Sequence, residues 1–196
     1  MTSPVHIMLD LETWGLTPGS DIRSIGACVF DPARGLIGHD LMLGGEFHLP
    51  VENLLQKSIE DRHPYRKYPL TRDPSTERWW ADQSEAAKSA FNERIELKRG
   101  LERFANWHTA ATSGVESSTL WANGPHFDEA ILAACYRAVD LKVPWHYRAP
   151  RDCRTIWEAA GGIDLPFEGT AHNALDDAKH QARCVIAAYR KLGLSA

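Results

Sequence analysis

The sequence has little excess charge of either sign and no long apolar run. Its 196 residues carry 22 Lys and Arg against 26 Asp and Glu, which gives a formal net charge of -4 at pH 7. A protein that holds a polyanion by charge alone is strongly basic, so this class is excluded and an anionic partner must be held locally, through metal ions. No apolar run approaches the roughly 20 residues that cross a bilayer, and we expect no membrane contact.

Cysteines are few and widely spaced. The four of them form neither a C-x-x-C pair nor a dense disulfide framework: Cys28, Cys135, Cys153 and Cys184. This usage favours a reducing, cytoplasmic compartment. The apolar stretch from Val5 to Leu11 is too short for a signal peptide and contains Asp10. Internal repeats and low-complexity tracts are also lacking, so we expect residues 1–196 to form a single domain.

The first fifty residues carry the pattern of a β-meander. Apolar runs at 5–9, 22–30 and 41–49 are separated by turn-forming residues at 17–20 and 31–35. These runs predict three strands that are antiparallel neighbours. The polar stretch at 50–74 predicts an irregular excursion over the surface.

Helices and at least one further strand follow. Asp73 and Pro74 have the types of an N-cap and a first helical residue, which predicts a helix through Trp79, Trp80 and Gln83. Further elements are predicted as a helix over about 85–109, a buried strand at 119–123, a helix at 127–138, a short helix at 154–160 and a last helix with Asn173 as N-cap. The alternation indicates an α/β sheet with helices packed against it.

Acidic residues cluster at the end of the first strand. Because side chains alternate across a strand, Asp10 and Glu12 must point to the same face. Two adjacent carboxylates repel each other, and a bound divalent cation removes that cost. A D-x-E pair alone is also compatible with a solvated strand end.

Two later segments add acids and a histidine. Asp128 begins the helix after the 119–123 strand, where helix capping is an alternative role. His172 stands just outside the last helix and Asp177 lies about one turn inside it, so both are expected to face one cleft. Asp176 lies three residues after Asn173, a position that suits a structural role.

These three motifs together resemble those of the DEDDh exonucleases. That family has D-x-E on a first strand, a later F-D at a helix start, and a terminal H-x-x-x-x-D; the matching residues here are Asp10, Glu12, Asp128, His172 and Asp177. The stretches around Trp79-Trp80 and 172–178 are similar to the phage exonuclease A and mycobacterial 3′-5′ exoribonuclease group. One departure is the segment 123–128, which has one residue more between Asn123 and Asp128 than proofreading exonucleases have.

The resemblance implies a fold, an activity and a set of roles. The fold would be RNase H-like, a mixed five-stranded sheet with antiparallel first three strands, flanked by helices. The four carboxylates would hold two divalent cations, Mg²⁺ or Mn²⁺, and His172 would be the general base. The substrate would be the 3′ end of single-stranded or 3′-overhanging RNA or DNA, cut to nucleoside 5′-monophosphates. A homodimer is a further expectation.

Several residues are candidates for substrate contact. Thr13 and Trp14 follow the acid pair, and Trp14 is either a stacking platform or a core residue. Trp79 and Trp80 cannot share a helix face, so one is expected in the core and the other on the cleft wall. The remaining candidates are Trp80 itself, Gln83 one turn after Trp79, and the basic cluster of Arg66, Lys67 and Arg72.

Two other functions remain open at this point. The chain could be an inactive nucleic-acid-binding or adaptor protein on the same scaffold, although such proteins are expected to have lost a ligand. It could also be a phosphodiesterase of small nucleotides, which needs a closed pocket where an exonuclease needs an open groove.

Overall fold

The computed structural model describes residues 5–54, 66–115, 117–124 and 126–194, which form one mixed sheet with helices on both faces. The strands lie in the order β5-β4-β2-β1-β6-β7, with β3 beside β2. Their bounds are β1 Val5–Thr13, β2 Ile22–Asp31, β3 Leu36–Ile37, β4 Glu46–Glu52, β5 Ile95–Glu96, β6 Ser118–Ala122 and β7 Pro150–Asp152.

The predicted mixed sheet is confirmed. β1, β2 and β4 form the antiparallel meander, and β6 and β7 run parallel to β1. These five longer strands are joined by two strands of two residues each, β3 and β5. The third predicted strand was placed too early: residues 38–45 form a 3₁₀ turn and a loop in which Gly38 and Gly44 adopt positive φ, so β4 begins at Glu46.

Within the described ranges, six α-helices accompany the sheet: α1 Pro74–Ala81, α2 Glu85–Ser89, α3 Leu97–Ala111, α4 Asp128–Ala138, α5 Cys153–Ala159 and α6 Ala174–Leu192. The continuous helix expected over 85–109 is wrong. Residues 95–96 leave the helical path to pair with β4, and the Glu96 side chain then accepts the backbone N–H of Arg99 and so caps the new helix α3.

Strand alternation divides the core into two layers. Ile7, Leu9 and Leu11 point to one face of β1 and pack with residues of α3 and α4. Met8 points to the other face and packs with residues of α5 and α6. Asp10 and Glu12 continue the Met8 face, which is therefore apolar where the strand begins and acidic where it ends.

Helix α6 begins directly on the sheet. Asn173 caps it by accepting the backbone N–H groups of Leu175 and Asp176, as predicted. Gly26 of β2, the cross-strand partner of Asp10, lies beneath this first turn. A Cβ atom at Gly26 would overlap the backbone of Ala174 and Leu175. Only glycine therefore allows α6 to start this close to β2.

In the described part of the chain, no helix is long and apolar enough to cross a membrane.

Replacing Gly26 with alanine tests this close approach. Because the added methyl group overlaps backbone rather than a flexible side chain, we expect Gly26→Ala to lower the free energy of unfolding by about 3 kcal/mol or more, as overpacking does. Urea denaturation measures it. Gly44→Ala is the control: its Cβ meets open space and only its φ of 71° is unfavourable, a cost of about 1 kcal/mol. Equal costs for the two variants would contradict the close-contact account.

Candidate active site

The end of β1 meets the start of α4. Because β1 and β6 are parallel, the chain that leaves β6 at Ala122 reaches the same sheet edge at which β1 ends. Asp128 then begins α4, and its Oδ1 accepts the backbone N–H of Leu11 at 3.0 Å. This bond fixes the buried carboxylate of Asp128 between the positions of Asp10 and Glu12 along the strand.

The start of α6 supplies the third acid and the histidine. Glu12, His172 and Asp177 each offer a ligand atom within 4.8 Å of the other two. His172 has a φ of 63°, a left-handed conformation uncommon for residues other than glycine. The expected meeting of His172 and Asp177 in one cleft is thus observed.

A cavity of about 620 Å³ opens over these groups. Four of the five residues matched to the DEDDh motifs line it, namely Asp10, Glu12, His172 and Asp177; the fifth, Asp128, is buried and accepts the Leu11 backbone N–H. The remaining lining residues are Leu11, Thr13, Leu16, Ser75, Thr76, Trp79, Trp80, Asn123, Phe127 and Gln181. The cavity is therefore acidic on the sheet side and largely apolar on the α1 side.

The two adjacent tryptophans have different places. Trp80 is buried, and its Nε1 donates to the Thr13 carbonyl oxygen at 2.8 Å. Trp79 is 44% exposed, and its ring meets the His172 ring edge to face with centroids 4.9 Å apart. Trp80 therefore anchors α1 to the end of β1, and Trp79 is the exposed wall beside the histidine.

Burial raises the pKa values of the clustered acids. It is the largest cause at each of them, and for Asp10, whose pKa is well above the usual range, the charges of Asp128 and Glu12 add to it. The pKa of Glu12 rises to about 8, with Asp177 as the next cause. The pKa of Asp128 rises to about 7, although backbone N–H groups lower it, and that of Asp177 rises to about 6, although the charge of His172 lowers it.

The donor set fits divalent cations. Carboxylate oxygens are the ligands that Mg²⁺ and Mn²⁺ prefer, and burial disfavours the charged form of these acids, a cost that a bound cation offsets. A buried acceptor in the same cavity, Oε1 of Gln181, has no hydrogen-bond partner among the described residues. The ligand atoms that lie close together, on Glu12, His172 and Asp177, could hold a cation, and Asp10 lines the same cavity.

Two of the predicted substrate contacts lie outside the cavity as described. Trp14 does not appear among the described residues that line the cavity; its ring packs against the guanidinium groups of Arg23 and Arg72, 4.3 and 4.4 Å from its centroid. Gln83 is directed back at its own helix, since its Nε2 donates to the Trp79 carbonyl oxygen. Thr13 lines the cavity but is buried, with its hydroxyl donating to the Gly15 carbonyl oxygen.

The basic cluster is engaged within the fold. Arg66 donates to the Leu70 carbonyl oxygen, Lys67 pairs with Glu96, and Arg72 pairs with the buried Asp21 at 3.0 Å. None of the three lines the cavity as described. A role of this cluster in guiding a phosphate backbone therefore has no support.

Sequence reasoning missed Gln181. It lies one turn after Asp177 in α6, and its Nε2 donates to Asp10 Oδ1 at 2.6 Å. The four-residue spacing from Asp177 was the available signal, because it places the two side chains on one helix face. Asn123, to which no role was assigned, lines the cavity, and its Oδ1 accepts the Nε of Arg154.

Comparison with known proteins identifies a matching family. Residues 5–189 match the model of the 3′-5′ exoribonuclease Rv2179c-like domain family. A search of curated proteins found no match.

Solved structures share the fold at low sequence identity. The nuclease domain of 3′hExo, a DEDDh family member bound to rAMP, is 15% identical with a TM-score of 0.56, over 95% of this chain and 92% of that chain. Cell-death related nuclease 4 (CRN-4) is 15% identical with a TM-score of 0.63, over 96% of this chain and 64% of that chain. A 3′-exonuclease that recognises the 3′ end of the histone mRNA stem-loop is 14% identical with a TM-score of 0.56, over 96% and 84%.

Thermal unfolding with and without a divalent cation tests whether the clustered acids with raised pKa values bind a cation. The folded acids have pKa values of about 6 to 8, above the unfolded values near 4. The folded state therefore binds more protons in this window, and the stability these groups contribute is present below about pH 4 and lost as pH rises toward about 8. We expect the Tm of metal-free protein to fall from about pH 5 to about pH 8, and Mn²⁺ to restore it mostly at the higher pH.

Glu12→Gln provides the control, because it removes one of the shifted acids and should flatten the pH dependence of the metal-free Tm. A metal-free Tm that is constant across this pH range, or a Mn²⁺ effect equal at both ends, would contradict the assignment of a cation site.

Proposed function

The chain belongs to the 3′-5′ exoribonuclease Rv2179c-like domain family, and from this premise we propose that it removes nucleotides one at a time from the 3′ end of single-stranded RNA as nucleoside 5′-monophosphates. The observation that carries the proposal is the convergence of Asp10, Glu12, His172 and Asp177 on one cavity, with Asp128 hydrogen-bonded to the β1 backbone at Leu11. The family description favours RNA, and DNA is the alternative polymer.

Four carboxylates would hold the cations. The charges of Asp128, Glu12 and Asp177 all raise the pKa of Asp10, and we propose Asp10 as the shared ligand. Glu12 and Asp177 would complete one site with Asp10, and Asp128 would reach the other directly or through water. When bound, Mg²⁺ or Mn²⁺ would polarise the phosphorus, activate water and stabilise the leaving oxygen.

His172 would act as the general base. An imidazole has an intrinsic pKa near working pH, so it can accept a proton from the attacking water at Nδ1 or Nε2. Trp79 covers one side of its ring, and the left-handed backbone at His172 holds the residue beside Asp177. The same geometry would also permit His172 to be a metal ligand. We propose the role of general base.

The apolar side of the cavity would receive the terminal nucleoside. Leu16 and Trp79 are exposed at 68% and 44% beside the acids, and an aromatic face binds any base by stacking. A nuclease site has to leave room for the rest of the strand. These exposed apolar groups favour a polymer end over an enclosed small nucleotide.

The inactive-adaptor alternative has less support. Loss of activity is expected to release at least one ligand position from selection, whereas all four acids and the histidine are present and assembled. The remaining expectations, a single domain over residues 1–196, a cytoplasmic setting and a homodimer, stay predictions. Light scattering on the purified protein tests the last of these.

Nuclease assays test the proposed activity. The protein is incubated with 5′-labelled single-stranded RNA or DNA of one sequence in Mg²⁺ or Mn²⁺, and the products are resolved by length. We expect a ladder that shortens from the 3′ end, faster on RNA, absent with EDTA and absent in Asp10→Ala. Failure to cut either polymer in both metals would overturn the proposal, and cleavage in Asp10→Ala would assign the activity elsewhere.

Substitution of His172 distinguishes a role as general base from a role as metal ligand. We expect His172→Ala to lower kcat by about 10²- to 10⁴-fold while the number of bound Mn²⁺ ions stays unchanged. His126→Ala is the matched control, because His126 is exposed and does not line the described cavity; its kcat should equal that of the unaltered protein. Loss of a Mn²⁺ ion in His172→Ala would show that His172 is a ligand instead.

A further inference from the structure

One buried amide lies among the acids of the cavity. Gln181 is only 6% exposed, projects from α6 one turn after Asp177, and lines the same cavity as the carboxylates. Its Nε2 and Asp10 Oδ1 are 2.6 Å apart. An ionised carboxylate can only accept a hydrogen bond, so the atom that faces ionised Asp10 is the amide nitrogen.

This hydrogen bond joins the helix to the strand at the proposed shared ligand. With Oδ1 engaged by a charge-assisted bond, rotation of the Asp10 carboxylate about its Cβ–Cγ bond is restricted. Asp10 has a second restraint, because its partner Gly26 lies under the start of α6. Gln181 therefore defines which carboxylate lone pairs remain directed into the cavity.

The other end of the amide has no partner. Oε1 of Gln181 is buried and accepts no hydrogen bond from any described residue, which is costly for a polar atom. Asp10 and Asp177 line the same cavity, and once they are ionised around a cation they have no hydrogen to donate. In that state the donor to Oε1 comes from water or from a ligand, and water that hydrates a bound cation is a strong donor.

We infer that Gln181 is a positioning residue of the cation site: it orients Asp10 through Nε2 and accepts a hydrogen bond at Oε1 from water that hydrates a cation held by Asp10. This inference rests on the proposed function. In this role Gln181 does not contact the reacting phosphate. Its removal should therefore weaken cation binding and the turnover that depends on it, and leave substrate affinity unchanged.

Mn²⁺ binding, measured by electron paramagnetic resonance or calorimetry without RNA, tests the inference. Methionine has nearly the length of glutamine but neither donor nor amide oxygen. We expect Gln181→Met to weaken Mn²⁺ binding about tenfold, a typical effect of losing an outer-shell partner, and to raise the Mn²⁺ concentration for half-maximal activity similarly. kcat should fall and KM for RNA stay unchanged. Gln83→Met, the same change outside the cavity, should match the unaltered protein.

The possible outcomes distinguish the proposed function from the inference about Gln181. If the unaltered protein binds no Mn²⁺, both the proposed function and the inference fail. If it binds Mn²⁺ and Gln181→Met binds it equally well, the proposed function stands and the inference is overturned. Should thermal unfolding show that Gln181→Met is unstable, Gln181→Asn answers the same question, because its shorter side chain cannot reach Asp10; unchanged Mn²⁺ affinity in that variant would also overturn the inference.

Discussion

The packing of α6 directly on Gly26 is the contact on which the rest of the site depends. The absence of a side chain there lets the Asn173-capped first turn rest against β2. Asp177 and Gln181, one and two turns further along the helix, are thereby brought over Asp10. A larger residue at position 26 would push away the helix end that carries Asp177 and the adjoining His172. The acid pair of β1 would then remain a solvated strand end.

The same contact creates an electrostatic problem within the fold. It brings Asp177 over the acids at 10–12, beside which the start of α4 holds Asp128, and burial together with repulsion between carboxylates raises the pKa values of Asp10 and Glu12. Nearby cations are few: the Arg23 charge lowers the pKa of Glu12 and that of Arg154 lowers the pKa of Asp128. Without bound cations, the buried acids therefore lower the stability of this edge of the sheet. Bound divalent cations would restore that stability.

The sequence was most informative where one local rule fixes direction. Strand alternation placed Asp10 and Glu12 on one face, and the N-cap type of Asn173 located the start of α6, so the position of Asp177 relative to His172 followed. The sequence was least informative where the partner of a side chain depends on residues distant in the chain. Trp14 is packed by Arg23 and Arg72, and Gln83 turns back to its own helix. Gln181 meets Asp10 across 171 residues, and only the helical spacing from Asp177 hinted at it.

We propose that these acids hold two cations, with Asp10 as the ligand that both share. Crystals grown with Mn²⁺, and measured with X-rays near the manganese absorption edge, test it most directly. The account predicts two anomalous peaks in the cavity, both within coordination distance of Asp10, with Glu12 and Asp177 at one and Asp128 near the other. Peaks located away from Asp10, or no anomalous peak at saturating Mn²⁺, would contradict it.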